Sequence, residues 1–420
     1  MKILHISHSD ISGGASKAAL RLLNGVRGEG IEAEILVNQK SSDHYFVHGP
    51  ETNISKALNT LRIPLDNLPK LLYPNRKNTI FHIQWLPGRN AGRIKKHDPD
   101  IVHLHWICRG FINIGTLSRI HRPIIWTLHD MWPFSGGCHY AGTCSGYKTH
   151  CGSCPQLGSK KNSDLSYRLL KWKEKHWNRL DLTVIAPSNW LAGCAKKSRL
   201  LHDMDIRVIP NGLDLDIYRP HDKLTARKLF GLSEDAFLVL FGALKSTRDE
   251  RKGFHFLPDA LNHVTSHEID KKIELVVFGA SEPAGPPALA LKTNYMGYLN
   301  DDVSIALLLS ACDIFVAPSM EDNLPNTIME AMACGVPCAA FDTGGIPDMI
   351  AHKQNGYLAR PYETNDLAMG IKWIIEDRER WERLSSNARA KVEKEFDIRL
   401  VAQQYIEVYR QAFLRRSVEK

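Results

Sequence analysis

Long apolar runs are missing from this chain of 420 residues. A membrane-spanning helix needs about 18 or more consecutive apolar residues, and no run approaches that length. The longest candidate, Ser304 to Pro318, is interrupted by Asp313. The stretch Met1 to Ser7 is too short for the apolar part of a signal peptide and is typical of a first β-strand. We therefore expect a cytoplasmic protein, in which the nine cysteines are thiols or metal ligands rather than disulfides.

Two common phosphate-binding fingerprints are also missing. After the first predicted strand the sequence is Ser12-Gly13-Gly14-Ala15-Ser16, which is neither Gly-x-Gly-x-x-Gly nor a P-loop. This disfavours a dehydrogenase or a P-loop enzyme. Gly13 and Gly14 still bring bare backbone to the start of a helix, where they either contact a ligand phosphate or only form a tight turn. The helix is predicted from an apolar stripe of Ala15, Ala18, Ala19, Leu22, Leu23 and Val26.

Acidic residues are scarce between positions 56 and 97, where Asp66 is the one acid among nine Lys and Arg residues. Nine cations and one acid give the segment a net charge of +8, which equals the net charge of the whole chain. The segment also carries Tyr73, Phe81 and Trp85, so it is suited to an anionic membrane surface, although an ordinary solvated basic face is the alternative. No nucleic-acid motif accompanies the charge, so no nucleic-acid partner is expected. The nine cations are Lys56, Arg62, Lys70, Arg76, Lys77, Arg89, Arg93, Lys95 and Lys96.

The length and a composition of 43% apolar and 24% charged residues predict two globular domains. Strand-like runs alternate with helical patterns in both halves, which indicates an α/β protein with parallel sheets. Residues 211–222 are polar and turn-rich, so we expect domains at 1–212 and 213–396 and a terminal helical segment at 397–420. The predicted strands are Ile3–Ser7, Ile31–Val37, Ile101–His105, Ile124–His129, Val184–Pro187, Val208–Pro210, Phe237–Gly242, Ile273–Gly279, Ile314–Ala317 and Pro337–Phe341.

The segment Asp322-Asn-Leu-Pro-Asn-Thr-Ile-Met-Glu330 places two carboxylates across the start of a predicted helix that opens at Thr327. The helix N-terminus attracts an anionic phosphate. Asp322 lies on the preceding loop and Glu330 about one turn inside the helix, so they can accept bonds from different hydroxyls of one extended ligand. A loop with several cations, from Gly242 to Gly253, can neutralise a diphosphate without a metal.

Four cysteines, Cys138, Cys144, Cys151 and Cys154, occur within seventeen residues. Four soft ligands suit a structural zinc ion, and His139 or His150 could replace one of them. Two local disulfides or plain thiols are the alternatives. We predict a structural zinc site here and no cofactor for catalysis.

The motifs Glu330-Ala-Met-Ala-Cys-Gly-Val-Pro337 and Gly344-Gly345-Ile-Pro-Asp348, with Asp322 before them, resemble glycosyltransferase family 4. The usual family pattern has Glu where this chain has Asp322. The resemblance implies a retaining enzyme of GT-B fold, with two Rossmann-like domains facing a central cleft. It also implies an N-terminal acceptor domain, a C-terminal nucleotide-sugar donor domain, and a terminal helix that crosses back to the first domain.

The same resemblance assigns roles to residues. It implies that Asp322 and His129 contact the donor sugar as catalytic residues and that Glu330 holds the ribose. The cysteine-rich stretch after His129-Asp130 is similar to the colanic-acid branch of the family. The remaining donor-binding residues implied by the motifs are Gly13, Gly14, Lys252 with Arg248 or Arg251, Asn323, Leu324, Asn326 and Thr327.

We therefore expect a hexosyltransferase that moves a hexose from a nucleoside-diphosphate sugar to a lipid-linked exopolysaccharide or O-antigen glycan. We expect it at the inner face of the cell membrane. A sugar-nucleotide epimerase of the same architecture is the alternative, and it would need no acceptor.

Overall fold

A computed structural model describes residues 1–88, 90–178, 180–242, 249–266, 272–282 and 291–418, without the side chains of Ser266 and residues 416–418. The chain forms two compact units, Met1–Pro210 with Val401–Lys420 and Asn211–Leu400. Each unit is built on a sheet whose described strands are parallel. The α/β class predicted from the alternating pattern is therefore confirmed.

The first unit contains a sheet in the order β3-β2-β1-β4-β5-β6-β7. Leu4 and Trp126 pack on one face, and Ile3 and Ile125 pack on the other. Because both faces are covered, the strands are nearly continuous apolar runs rather than alternating ones. The strands are β1 (Lys2–Ser9), β2 (Glu32–Gln39), β3 (Val47–His48), β4 (Ile101–Leu104), β5 (Ile124–Thr127), β6 (Leu182–Ala186) and β7 (Asp205–Val208).

The helices of the first unit follow from local signals as well as from burial. Helix α1 begins after Gly13, whose φ of +93° favours glycine, and its apolar stripe packs on the sheet. Helix α2 begins with a capping box between Thr52 and Ser55. From Val401 onwards helix α12 covers the same face of the sheet as α1. The helices are α1 (Gly14–Gly28), α2 (Asn53–Asn67), α3 (Asn90–His97), α4 (Leu165–Trp177), α5 (Asn189–Lys196) and, mostly within this unit, α12 (Ile398–Val418).

The second unit contains a sheet in the order β10-β9-β8-β11-β12-β13. Its strands are β8 (Phe237–Gly242), β9 (Ile273–Phe278), β10 (Thr293–Tyr295), β11 (Ile314–Ala317), β12 (Cys338–Phe341) and β13 (Gly356–Ala359). Its helices are α6 (Lys223–Leu229), α7 (Leu257–Ser266), α8 (Asp302–Ala311), α9 (Asn326–Ala333), α10 (Thr364–Ile375) and α11 (Arg378–Glu395).

The sequence pattern misplaced or missed several short elements. The strand predicted at Val208–Pro210 lies earlier, at Asp205–Val208, where partly exposed residues hide the apolar signal. Strands β3, β10 and β13 were not predicted, because two to four residues at a sheet edge show no period. Helix α9 begins at Asn326, one residue before the predicted Thr327.

Candidate active site

The glycine turn after β1 is held in place by a buried carboxylate. Asp10 accepts hydrogen bonds from the backbone N–H groups of Ile11 (3.0 Å) and Ser42 (2.8 Å). Burial opposes ionisation of Asp10, but the hydrogen bonds from Ser42 and Ser41 lower its pKa. The residue before α1 is Gly13, which has no side chain to cap the helix, so the turn presents backbone at a helix N-terminus. The sequence did not single out Asp10, although an acid just after a strand is a recognisable turn residue.

His129 lies two residues beyond the end of β5, at the carboxyl edge of the first sheet. Its Nε2 is 3.1 Å from Nδ1 of His105, whose Nε2 is 3.0 Å from Nδ1 of buried His5. Burial lowers the pKa of His129 to about 4, so its imidazole is neutral at pH 7. A neutral ring can donate or accept a hydrogen bond at a sugar hydroxyl without adding charge.

His103 lies beside this chain of histidines but is fully committed to other partners. Its Nδ1 is 2.7 Å from the hydroxyl of Tyr409, and its Nε2 is 2.8 Å from Oγ1 of Thr127. Tyr409 belongs to α12, so the terminal helix holds His103 in position beside His105 and His129. The pattern His103-Leu-His105 is visible in the sequence, but the hydrogen-bond partners of these histidines could not be identified without the fold.

In the second unit, the cation loop and the first carboxylate form one cluster. Lys252 Nζ lies 2.6 Å from Oδ2 of Asp322, and Arg251 Nη1 lies 3.3 Å from the same oxygen. Arg251 also donates to the carbonyl oxygen of Glu321 at 2.8 Å. Burial alone would raise the pKa of Asp322, but the charges of Lys252 and Arg251 outweigh it and lower that pKa to about 2. Arg248, the other predicted partner of Lys252, lies outside the described residues.

Two glycines allow the loops of this cluster to approach closely. A Cβ on Gly253, whose φ is +72°, would lie 1.8 Å from the carbonyl oxygen of Pro318. A Cβ on Gly344, whose φ is +57°, would lie 2.0 Å from the carbonyl oxygen of Asp322. The backbone N–H of Gly345 donates to that same oxygen at 2.9 Å. The backbone at Gly253 is therefore packed against that at Pro318, and the backbone at Gly344 against that at Asp322, at the carboxyl edge of the second sheet.

Helix α9 presents its N-terminus next to this cluster. Pro325 is the residue before the helix, and its own side chain makes no capping hydrogen bond. Glu330 is buried on the helix, with 3% of its surface exposed. Such burial is rare for a carboxylate on a solvated helix face. Glu330 is therefore not a solvated side chain on an exposed helix face.

The other predicted donor-binding residues of this segment occupy distinct environments. The Asn326 side chain accepts a hydrogen bond from Asn211 at 3.0 Å, and Thr327 follows it in the first turn of α9. The backbone N–H of Asn323 donates to Asp322 at 3.0 Å. Leu324 is part of the apolar core, so its backbone rather than its side chain is available for a ligand.

The four cysteines of the predicted zinc site have no disulfide bonds in the described structure. Burial raises the pKa values of Cys138 and Cys151 to about 12, and the neighbouring thiols contribute in the same direction. His139 is hydrogen-bonded to Asp130 and His82 instead of completing this set. The zinc prediction for Cys138, Cys144, Cys151 and Cys154 stays a prediction.

Two sequence families match the chain in succession. The family described as Glycosyltransferase Family 4 matches residues 12–217, and the family described as Glycosyl transferases group 1 matches residues 227–391. The chain belongs to glycosyltransferase family 4. The predicted enzyme class is thus confirmed, and the family gives no support to the epimerase alternative.

Curated relatives of this glycosyltransferase are similar over part of its length. N-acetyl-alpha-D-glucosaminyl L-malate synthase of Bacillus anthracis is 28% identical over 49% of this chain and 53% of its own. The colanic acid biosynthesis glycosyl transferase WcaC of Escherichia coli is 25% identical over 60% and 62%. The UDP-Gal:alpha-D-GlcNAc-diphosphoundecaprenol alpha-1,3-galactosyltransferase of Escherichia coli is 25% identical over 73% of both chains. The chain spans about half the length of the first of these relatives.

Solved structures extend the likeness to nearly the whole glycosyltransferase. Sucrose-phosphate synthase of Thermosynechococcus elongatus covers 98% of this chain and 99% of its own, with a TM-score of 0.71 at 20% identity. HepE of Anabaena covers 98% and 100%, with a TM-score of 0.67 at 20% identity. The predicted GT-B fold of two Rossmann-like units is confirmed. In the described part of the chain, no helix has both the length and the apolar character to span a membrane.

Proposed function

We propose that this glycosyltransferase is a retaining hexosyltransferase that uses a nucleoside-diphosphate sugar and a lipid-linked glycan acceptor of exopolysaccharide or O-antigen type. The names of two relatives support the proposal. One is named for colanic acid biosynthesis, and the name of the other pairs UDP-galactose with a diphosphoundecaprenol-linked sugar. The first unit is the acceptor domain and the second unit is the donor domain.

The observation that carries the proposal is the cluster of Lys252, Arg251 and Asp322 beside the N-terminus of α9. Two cations and a helix end supply fixed positive charge for a diphosphate without a metal ion. Glu330, buried one turn into α9, accepts hydrogen bonds from the ribose hydroxyls. The backbone at Gly13 and Gly14 faces the phosphate and sugar of the donor.

In the proposed reaction an acceptor hydroxyl attacks the anomeric carbon on the face that the diphosphate leaves. The new bond joins the acceptor oxygen to the anomeric carbon, and the bond to the diphosphate oxygen breaks. The departing diphosphate accepts the proton of the attacking hydroxyl, while Lys252 and Arg251 stabilise its developing charge. Asp322 and neutral His129 orient the sugar, so no covalent intermediate on a carboxylate is required, in contrast to retaining glycosidases.

We also propose that the first unit contacts an anionic membrane, and the structure changes which residues would carry the contact. Several cations of residues 56–97 are occupied by backbone carbonyl oxygens. Arg62 binds the carbonyl oxygens of Leu86, Pro87 and Gly110, and Lys70 binds that of Phe81. Arg89 lies outside the described residues. The described cations with exposed side chains are Lys56, Arg76, Lys77, Lys95 and Lys96, of which Arg76 also donates to the carbonyl oxygen of Tyr73.

An exposed apolar stripe accompanies these cations. Its members recur at spacings of four and three residues along α2 and the 3₁₀ turn Leu68–Leu72 that follows it. This spacing places them on one helical face. A stripe of this kind, flanked by Lys and Arg, matches a helix that lies in a membrane interface. Lys70, Arg76 and Lys77 also line a neighbouring groove of about 460 Å³ that could hold an anionic headgroup. The stripe consists of Ile54, Leu58, Leu61, Leu65, Leu68 and Leu72.

The donor assignment is tested by thermal stabilisation with a panel of UDP- and GDP-sugars. At a concentration of 100 times its dissociation constant, a true donor adds roughly 2.7 kcal/mol to stability. Wild type should respond to one member of the panel, and Glu330→Ala should respond much less at the same concentration. Glu250→Gln, an exposed change in the cation loop, is the matched control and should respond like wild type. A response of Glu330→Ala equal to wild type would remove the donor site from α9.

The membrane contact is tested by sedimentation with anionic vesicles. A variant with Leu58, Leu61 and Leu65 changed to Ser should lose binding, and wild-type binding should fall with salt as the cations are screened. A control with exposed Leu224 and Leu229 of α6 changed to Ser should bind normally. Equal binding by both variants, or a dimer of wild type that the stripe variant abolishes without any vesicle binding, would contradict the proposal.

A further inference from the structure

Three groups of potential metal ligands bring their ligand atoms within 4.8 Å of one another in the described part of the chain. The group Glu34, His48 and His97 is only half-buried, and its carboxylate also pairs with Lys2. In the group His5, His103 and His105, both ring nitrogens of His103 are hydrogen-bonded to Tyr409 and Thr127. Ordinary ion pairs and hydrogen bonds therefore engage the central residue of each of these two groups, although Nε2 of His5 has no hydrogen-bond partner among the described residues.

The third group, His82, Cys108 and His139, has a different character. All three side chains are buried, with 9%, 1% and 2% of their surfaces exposed. Nδ1 of His82 lies 2.7 Å from Nε2 of His139. The residues come from three segments that meet at the carboxyl edge of the first sheet. His82 follows a bridge between Phe81 and Cys138, Cys108 follows β4, and His139 follows β5.

Asp130 fixes the orientation of His139. Its Oδ2 lies 2.6 Å from Nδ1 of His139 and 2.9 Å from the indole nitrogen of Trp106, while its Oδ1 accepts from the backbone N–H of Trp132 at 2.8 Å. The carboxylate holds a proton on Nδ1, so the lone pair of Nε2 points into the group. A carboxylate behind a histidine in this way is the usual outer partner of a metal-binding imidazole.

We propose that His82, Cys108 and His139 bind one transition-metal ion, with Zn²⁺ as the first candidate and Asp130 as the outer carboxylate. Two imidazole nitrogens and one thiolate are the ligand types that Zn²⁺ favours. On binding, the Cys108 thiol releases its proton to solvent. The proton shared by the two imidazoles moves to the other nitrogen of His82, so the ring stays neutral.

The two imidazole nitrogens would need to move only slightly. Tetrahedral coordination with Zn–N bonds of about 2.0–2.1 Å sets two nitrogen ligands about 3.3 Å apart. The His82 and His139 nitrogens, now 2.7 Å apart, would separate by about 0.6 Å. The bound ion would join the segments at residues 82, 108 and 139 directly beside His129 and Asp130. The ion would hold His129 in place and would not itself react with the sugar.

The proposal is tested with the full chain, stripped of metal and loaded with Co²⁺, which gives a thiolate charge-transfer band when cysteine binds it. The background variant has the four cysteines at 138, 144, 151 and 154 changed to Ser, so the zinc site predicted there cannot bind Co²⁺. This background should take up one Co²⁺ and show the band, and adding Cys108→Ser should abolish it. Cys312→Ser, a buried thiol of the second unit, should leave the band unchanged.

Asp130→Asn gives a second, graded readout. Loss of an outer partner typically weakens metal binding about 10- to 100-fold, so the apparent Co²⁺ affinity should fall by that factor while the band keeps its position. If the four-Ser background does not fold, metal content is counted in wild type and in Cys108→Ser, and the variant should contain one ion fewer. A band or stoichiometry unaffected by Cys108→Ser, or no Co²⁺ uptake, would overturn the site and leave a hydrogen-bonded histidine pair.

Discussion

Asp322→Asn is the most informative single substitution, because it removes a charge from the centre of the donor cluster while keeping the size of the side chain. The variant removes the charge that pairs with both Lys252 and Arg251, while Arg251 keeps its ion pair with Asp249. The backbone bond from Asn323 can still reach the remaining side-chain oxygen. The change therefore isolates the charge interaction.

The magnitude follows from the pKa of Asp322. Its ordinary value is 3.8, and the neighbouring cations lower it to about 2 against the opposing effect of burial. At about 1.36 kcal/mol for each pKa unit, the difference corresponds to about 2.5 kcal/mol of stability. Because the pKa is lowered on folding, this stabilisation is fully present above pH 4 and is lost as the pH falls towards 2.

The assay is urea denaturation of wild type and Asp322→Asn at a series of pH values, followed through the transition of the second unit. At pH 7 the variant should be less stable by about 2–3 kcal/mol. The difference should shrink as the pH is lowered below 4, because wild type then loses the same charge. Glu250→Gln, in the same loop but exposed, should change stability by less than about 0.5 kcal/mol.

Two results would refute this reasoning. Equal stability of wild type and Asp322→Asn at pH 7 would show that the cluster contributes no net energy. A difference that stays constant down to pH 3 would show that the effect arises from packing and not from the charge.

Three further predictions concern other parts of the protein. Glu330→Ala should weaken nucleotide-sugar binding about ten- to a hundredfold in calorimetry, because a lost charge-assisted hydrogen bond costs roughly 1.5–3 kcal/mol. Unchanged affinity would count against the proposal that Glu330 binds the ribose. His129→Ala should lower turnover more than donor affinity, because the residue acts at the sugar, and a wild-type rate would show that the catalytic centre is misplaced. Metal analysis of the purified protein should find one zinc fewer when Cys138, Cys144, Cys151 and Cys154 are changed to Ser, and an unchanged zinc content, with the four thiols freely alkylated in the native protein as purified, would reject that site.

Much of the fold was visible in the sequence because it rests on local patterns. The apolar stripe of α1 and the continuous apolar runs of the inner strands specify helices over a doubly covered sheet. The segment from Asp322 to Glu330 was also recognisable, because a loop followed by a helix start is encoded in consecutive residues. Short edge strands such as β13 lack such a pattern, since their pairing with a neighbour defines them.

The contacts within the site could not be predicted, because they join distant positions. Lys252 was expected at a diphosphate, whereas its nearest described partner is Asp322, 70 residues away. The line of His5, His105 and His129 depends on the parallel pairing of β1, β4 and β5. The stripe on α2 is visible in the sequence from its spacing alone, whereas the membrane contact was predicted from the excess of Lys and Arg.

The central claim is glycosyl transfer to a lipid-linked acceptor, and one measurement tests it most directly. The donor identified by thermal stabilisation, labelled in its hexose, is incubated with the protein with and without a lipid-diphosphate-linked sugar. The account predicts that label enters the lipid fraction only when acceptor is present, with the anomeric configuration of the donor retained, and that Glu330→Ala slows this transfer at a donor concentration near the wild-type dissociation constant. Consumption of the donor without acceptor, yielding an isomeric nucleotide sugar, would contradict the account.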